Sequence, residues 1–142
     1  MAHAGQELRG PTGHVLRLVR TGEETGGELL EMEATWSGES EGMPPEHHHP
    51  SQDERFEVLD GALRTIVDGV ERRYEAGESF VVPAGTRHQM TGDGPARARW
   101  EVRPALRTAE FFERLYGAAA GGGGGEGLLE EFAAEIRFTA AE

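Results

Sequence analysis

The 142-residue sequence contains no cysteine. This excludes disulfide bonds, thiolate metal sites and a cysteine nucleophile, so any metal site must use nitrogen and oxygen ligands. The sequence also lacks an apolar run approaching the ~18 residues of a membrane-spanning helix. Its N-terminus has no apolar segment of the kind found in signal peptides. We therefore expect a cytoplasmic protein that does not enter a membrane.

Basic residues are scarce as well. Fourteen Lys and Arg side chains face 26 Asp and Glu side chains, which gives a formal net charge of −12. Nucleic acids and anionic membranes both require a basic surface, so neither is an expected partner. The length corresponds to one domain. Its 21 glycines and 7 prolines favour many turns and short strands over long helices.

Several short segments alternate between apolar and polar residues, which is typical of half-buried strands. Residues 29–36 and 96–103 alternate most regularly, and Asp-Gly pairs at 60–61 and 68–69 indicate hairpins. Such strands, with turns every 8–12 residues and no helix between them, predict a β-sandwich or barrel. After Pro104 the period changes, and helices are predicted at 108–116 and 128–136. We divide the chain into an arm (1–13), a barrel (14–104) and a helical tail (105–142) with a glycine-rich linker at 117–127.

The most informative stretch contains three consecutive histidines. On a strand, His47 and His49 point to one side and His48 to the other. Glu54 follows a short polar break, where the chain can turn and bring a carboxylate back to the two imidazoles. Imidazoles with one carboxylate are ligands that a divalent first-row metal prefers.

Two motifs in this region resemble the paired motifs of the cupin superfamily. The first has four residues between its second histidine and its glutamate, and six more before its glycine: His47, His49, Glu54 and Gly61. Fifteen residues separate it from the second motif, which contains Gly77, Pro83, Gly85 and His88. Two positions depart from the family pattern. Gly42 precedes His47 by four intervening residues instead of five, and Gly92 replaces the closing asparagine of the second motif.

The resemblance implies an all-β, cupin-type jelly-roll barrel with short C-terminal helices. It also implies that His47, His49, Glu54 and His88 converge on one divalent metal ion. Four protein ligands leave two positions open on an octahedral ion but close a tetrahedral one. If the site is catalytic, this favours Mn, Fe, Ni or Co over Zn. A structural metal that only stabilises the barrel is the alternative.

The sequence defines the metal site more closely than it defines the reaction. We expect a metal-dependent enzyme acting on a small oxygenated organic molecule, with a dioxygenase-type oxidoreductase slightly favoured. The alternatives are a non-redox cyclase or isomerase, similar to the small cupins of aromatic polyketide pathways, and a non-catalytic metal- or ligand-binding module. We also expect a homodimer, as in other small cupins. Four residues share the inward strand parity and are candidate walls of the substrate pocket, or plain core: Trp36, Phe56, Met90 and Trp100.

Overall fold

The computed structural model describes residues 2–10, 13–38, 43–119 and 127–139, and these residues contain two antiparallel sheets. The larger sheet has six strands, in spatial order β1 (Glu7–Arg9), β2 (Val15–Arg20), β3 (Leu30–Trp36), β10 (Ala96–Arg103), β5 (Asp53–Asp60) and β8 (Ser79–Val82). The smaller sheet has five, in order β11 (Arg137–Phe138), β4 (His47–His48), β9 (His88–Gly92), β6 (Ala62–Val67) and β7 (Val70–Glu75). The helices are α1 (Gly22–Thr25), α2 (Thr108–Ala119) and α3 (Leu128–Glu131).

From β3 to β10 the chain passes repeatedly between the two sheets. β3, β5, β8 and β10 belong to the larger sheet, whereas β4, β6, β7 and β9 belong to the smaller one. This is the connectivity of a double-sheet jelly roll, and it confirms the predicted all-β class. Its consequence for the site is that residues from both sheets face one shared interior.

The central strands of the larger sheet follow the alternation of the sequence. Leu30, Met32 and Ala34 of β3 point inward and are at most 1% exposed, and β10 pairs with β3 along its whole length. The intervening residues form ion pairs on the outer face, for example Arg20 with Glu31 at 2.7 Å. An exposed ion pair of this kind adds little stability, so burial of the apolar face is the main reason why this sheet forms.

The two Asp-Gly pairs have different roles. Asp68 and Gly69 both have positive φ angles, 51° and 77°, and they join β6 to β7 in the predicted hairpin. The hairpin predicted at 60–61 is wrong, because β5 and β6 lie in different sheets. Gly61 instead turns the chain from one sheet to the other. A Cβ atom on Gly61 would lie 2.2 Å from the carbonyl oxygen of Pro95, so only glycine fits at this corner.

The C-terminal segments pack against the core of the barrel. The aromatic side chains of Phe111 and Phe112 on α2, together with Phe132 after α3, pack against inward residues of the larger sheet. Phe111 and Phe132 meet edge to face, with ring centroids 5.5 Å apart. Since neither helix is long enough to be stable alone, this packing accounts for their formation.

Between β2 and β3 the chain forms α1, whose N-cap Thr21 and Glu24 form a capping box. Two local predictions differ from the structure. Part of the N-terminal segment, expected to be an arm, forms β1 and pairs with β2. The second C-terminal helix is shorter than predicted, because the chain leaves it after Glu131 and adds β11 to the smaller sheet. Residues 120–126 of the predicted linker lie outside the described residues. The division into an arm, a barrel and a tail stays a prediction.

No helix of the described residues has the length and apolar character needed to cross a membrane.

The corner at Gly61 gives a test of the fold. Gly61→Ala and Gly69→Ala both place a side chain on a residue with positive φ, which costs about 1–2 kcal/mol. Only the Gly61 variant also drives Cβ into the Pro95 backbone, whereas nothing lies within 4 Å of a Cβ at Gly69. We expect Gly61→Ala to lower the free energy of unfolding in urea by about 3 kcal/mol or more. Equal losses for the two variants would contradict the packing described here.

Candidate metal centre and its cavity

Two of the motif histidines lie on adjacent strands of the smaller sheet, and the third directly follows one of these strands. β4 pairs with β9 through His47 and His88, which are directly opposite each other in the register. His49 follows β4 by one residue and returns to the same side as His47, whereas His48 pairs with Arg137 of β11. Each of the three motif histidines offers one ligand atom, and these atoms all lie within 4.8 Å of one another.

Glu54 reaches the same point from the opposite sheet. It lies near the start of β5 and is 1% exposed. Its Oε1 atom is 3.1 Å from Nε2 of His49 and 2.9 Å from Nε2 of His88. The structure therefore brings together all four residues singled out in the sequence, with the carboxylate between two imidazoles. The set of residues whose ligand atoms all lie within 4.8 Å of one another consists of the three histidines and does not include Glu54. Glu54 contacts two of these histidines, His49 and His88.

Backbone carbonyls fix the orientation of each imidazole. The Nδ1 atoms of His47, His49 and His88 lie 3.1, 2.8 and 2.9 Å from the carbonyl oxygens of Pro45, Glu135 and Thr86. A carbonyl can only accept, so each Nδ1 carries the proton and donates. The Nε2 atom of a neutral ring is then left with its lone pair. Metal-binding histidines are commonly oriented in this way.

The turn of the second motif also supports the first. The backbone N–H of Gly85 donates to the carbonyl of His49 at 2.8 Å, and the N–H of Ala84 donates to Oδ1 of Asp53 at 2.8 Å. Gly85 has a φ of 80°, in the left-handed region that favours glycine. This turn holds the backbone on both sides of the break between His49 and Glu54.

The second carboxylate oxygen of Glu54 has its own partner. The indole Nε1–H of Trp100 donates to Oε2 at a distance of 2.8 Å. Trp100 lies on β10, which neighbours β5, and Glu54 pairs with Val102 in the register. One oxygen of the carboxylate is thus held by the indole, while the other faces the histidines.

Electrostatics keep this carboxylate ionised. Burial by itself raises the pKa of Glu54, but the adjacent His49 and His88 outweigh it and hold the pKa well below its usual range. Burial, then the charges of His88 and His49, lowers the pKa of His47 to about 4. Burial also lowers the pKa of His49, but the charge of Glu54 outweighs this effect and raises it. At neutral pH the site therefore combines an anionic oxygen with a neutral His47.

The unsatisfied atoms of this cluster fit a cation. Nε2 of His49 and Oε1 of Glu54 are buried, and neither has a hydrogen-bond partner among the described residues. Their 3.1 Å separation is that of an ion pair, but the contact does not have hydrogen-bond geometry. Buried polar atoms without partners are rare in folded proteins. Imidazole nitrogens and a carboxylate oxygen that meet without a mutual hydrogen bond are the donors that a divalent transition metal uses.

A cavity of about 480 Å³ adjoins the cluster. His47, Glu54 and His88 form part of its wall, and most of the remaining wall is aromatic or aliphatic. All four predicted wall residues line it: Trp36, Phe56, Met90 and Trp100. Their contact with a substrate stays a prediction. The volume and the few polar groups are typical of a small-molecule site.

The departure at Gly92 has a local cause. A Cβ atom on Gly92 would lie 2.7 Å from Cβ of Trp36 and 2.9 Å from its Cγ. Both distances are too short for real atoms, so a side chain at 92 would displace the Trp36 ring. Gly92 therefore makes room for one of the aromatic walls of the cavity. Gly42, the other departure, lies outside the described residues.

Several site residues were missed by sequence reasoning. Glu135, whose carbonyl binds His49, and Phe138, whose ring lines the cavity, come from the C-terminal segment. His14 also lines the cavity, although the sequence around it shows no motif. Glu135 is 86 positions from its partner, and no spacing rule connects residues so distant. Only the inward parity of His14, two positions before the apolar Leu16, gave a usable signal.

Sequence comparison identifies a cupin domain in residues 37–102. A tetracenomycin polyketide synthase protein, TcmJ from Streptomyces glaucescens, is 36% identical over 68 residues. That alignment covers 46% of this chain and 46% of TcmJ, so the chain matches about half the length of this relative.

Solved structures with a similar fold support the assignment of this domain. KdgF from Halomonas sp. superposes with a TM-score of 0.60 and 19% identity, covering 70% of this chain and 86% of that one. An RmlC-like cupin from Shewanella frigidimarina also gives a TM-score of 0.60 and 19% identity, covering 73% and 87%. The Cnp3 cupin domain of Schizosaccharomyces pombe gives 0.57 and 16%, covering 73% and 68%. At these identities the likeness concerns the fold alone.

The indole–carboxylate hydrogen bond predicts different effects for the two tryptophans. Trp100→Phe keeps an aromatic ring but leaves Oε2 of Glu54 without its donor. We expect the affinity for Zn²⁺ to fall about 10- to 100-fold, as for other groups that orient metal ligands. Competition with a chromogenic chelator measures this change. Trp36→Phe is the matched control, since Trp36 lines the same cavity without contacting Glu54, and it is expected to retain the wild-type affinity. Equal affinities for both variants would contradict the role of the indole.

Proposed function

Because the chain belongs to the cupin superfamily, we propose that it is a metal-dependent enzyme acting on an oxygenated aromatic or polyketide-like small molecule. The proposal rests on one observation: imidazoles and a buried carboxylate converge at the wall of a largely aromatic cavity. A structural ion needs no such cavity beside it. A binding pocket alone needs no buried, unsatisfied ligand atoms.

His47, His49, Glu54 and His88 would hold the ion in this proposal. A divalent ion bound there supplies Lewis-acid polarisation of a substrate oxygen. Glu54 neutralises part of the positive charge, and Trp100 keeps its carboxylate turned toward the histidines. The backbone carbonyls behind the rings keep the three Nε2 lone pairs directed at the same point. The chain's own contribution is therefore a pre-organised set of donors that needs little reorganisation on loading.

The cavity supports a planar substrate. Phe56 and Trp100 stack with ring centroids 5.2 Å apart and an interplanar angle of 27°. Trp100 also meets Phe112 of α2 edge to face, at 5.2 Å. Flat aromatic walls favour flat, apolar molecules and exclude water from the polar cluster. A flat ring system that carries ketone or hydroxyl groups can pack against the aromatic walls and place an oxygen at the metal-binding cluster.

Similarity to a tetracenomycin polyketide synthase protein favours the non-redox cyclase over the dioxygenase. The cavity walls would hold a reactive carbon chain in a folded, water-free arrangement, which favours ring closure by proximity. The dioxygenase remains the second candidate, because nitrogen and oxygen donors without sulfur also suit redox-active iron. The identity of the metal among Mn, Fe, Ni, Co and Zn, the homodimer and the cytoplasmic location stay predictions.

Metal content tests the proposed ligand set. Protein purified without nickel resin is expected to contain about one divalent ion per chain by inductively coupled plasma mass spectrometry. His49→Ala and Glu54→Ala each remove a donor, so we expect both variants to lose the ion. His48→Ala is the matched control, because its side chain lies on the opposite side of β4 and the ion should be retained. Stoichiometric metal in the His49 and Glu54 variants would refute the assignment.

The need for dioxygen distinguishes the two reactions. A non-redox cyclase loaded with Zn²⁺ should convert a poly-β-ketone substrate analogue equally well with and without oxygen, because neither its metal nor its substrate changes oxidation state. Product formation under nitrogen, followed by mass spectrometry, measures this. A product heavier by one or two oxygen atoms, formed only in air and only with iron, would indicate the dioxygenase instead.

A further inference from the structure

His14 is the one histidine of the cavity wall that lies outside the cupin motifs. It immediately precedes β2 and has the same parity as Leu16 and Leu18, both fully buried, so it faces the interior of the barrel. His14 lies directly before a strand of the larger sheet, whereas His47 and His88 lie on strands of the smaller sheet. The cavity therefore has a second imidazole, separate from the cluster proposed to hold a metal.

Backbone packing fixes the position of this ring. The N–H of Gly10 donates to the carbonyl of His14 at 2.7 Å. Gly13, with a φ of 84°, packs so closely that a Cβ atom there would lie 2.7 Å from Oγ of Ser37. The imidazole of His14 then lies between two aromatic rings, with centroids 5.1 Å from Trp36 and 6.1 Å from Tyr116. A side chain held on all these sides is pre-organised for a ligand.

The Nδ1 atom of His14 is buried and has no hydrogen-bond partner among the described residues. A buried polar atom without a partner lowers stability, so its retention within the apolar wall of the cavity calls for a physical reason. Burial lowers the pKa of His14 by more than the nearby Thr35 carbonyl raises it. The ring is therefore neutral at neutral pH, with one nitrogen that accepts and one that donates.

The other residues of the cavity narrow the choice of ligand group. The described lining contains no Lys or Arg. A carboxylate or phosphate of a ligand would therefore find no cation beside His14 to neutralise it. A neutral hydroxyl group can donate to or accept from a neutral imidazole without burying a charge. Phenol and enol hydroxyls are the groups of this kind that flat aromatic and polyketide-like molecules carry.

We infer that His14 is a specificity residue, which selects ligands by a hydrogen bond to a phenol or enol hydroxyl in the part of the cavity between Trp36 and Tyr116. The inference takes its substrate class from the proposed function, but the hydrogen bond itself does not depend on a metal. It assigns two polar ends to the bound molecule: one oxygen at the histidine cluster and one hydroxyl at His14.

The test compares two probes of the same shape, 2-naphthol and 2-methylnaphthalene. Equilibrium dialysis against the full-length protein gives the ratio of their dissociation constants. Because the methyl compound is the more apolar, the informative quantity is the change in this ratio between variants. His14→Phe keeps the ring contacts with Trp36 and Tyr116 but removes the hydrogen bond. We expect it to shift the ratio about five- to tenfold against 2-naphthol, the effect of one lost hydrogen bond.

Two further variants separate this effect from general damage. Thr91→Val changes a residue of the cavity lining on β9, and it should leave the ratio unchanged. His14→Gln restores a side chain that donates and accepts, and it should recover most of the preference. Urea unfolding of each variant verifies that it is folded at the temperature of dialysis. An unchanged ratio in His14→Phe would overturn the inference, and so would failure of the wild-type protein to bind either probe.

Repeating the dialysis after removal of metal with a chelator separates this inference from the proposed function. If the ratio still shifts in His14→Phe while the wild-type protein binds no divalent ion, His14 keeps its role and the metal-dependent enzyme is refuted. If the ion binds stoichiometrically but the ratio does not shift, the proposed function stands and the role of His14 is refuted.

Discussion

The buried carboxylate of Glu54 is the constraint on which the rest of the structure depends. An ionised group that is 1% exposed costs several kcal/mol in lost hydration unless its partners replace the water. Here Trp100 on β10 donates a hydrogen bond to one carboxylate oxygen. The imidazoles of His49, after β4, and His88, on β9, lie within 3.1 Å of the other oxygen, where a bound cation would complete the compensation. Both sheets must therefore be correctly paired before these side chains surround the carboxylate. The requirement couples formation of the site to formation of the barrel.

The imidazoles depend on a second set of contacts that reaches the end of the chain. His49 donates to the carbonyl of Glu135, and β11 pairs with β4 beside it. The segment from 127 to 139 also contributes Phe132 to the core and Phe138 to the cavity wall. These residues follow the cupin domain in sequence but complete its interior in space. The site is thus built by the barrel together with its C-terminal extension.

The sequence predicted the parts that depend on local periodicity and on fixed spacing. Alternation located β3 and β10 of the larger sheet. Motif spacing identified four candidate metal ligands: His47, His49, Glu54 and His88. Contacts between residues far apart in sequence were not predictable in this way. The Asp-Gly pair at 60–61 has the composition of a hairpin, yet packing against Pro95 makes it a corner between sheets. The apolar pattern at 128–136 fits a helix, yet the helix ends at Glu131, and the chain then reaches β11, which pairs with β4 in the smaller sheet.

The central claim is that Glu54 and the three motif histidines share one divalent ion. An anomalous difference map from a crystal, recorded at the absorption edge of the metal found in the protein, tests it most directly. The account predicts a single strong peak bonded to the Nε2 atoms of His47, His49 and His88 and to Oε1 of Glu54. A fully occupied metal peak elsewhere in the protein, with Glu54 hydrogen-bonded to a protonated imidazole, would contradict it.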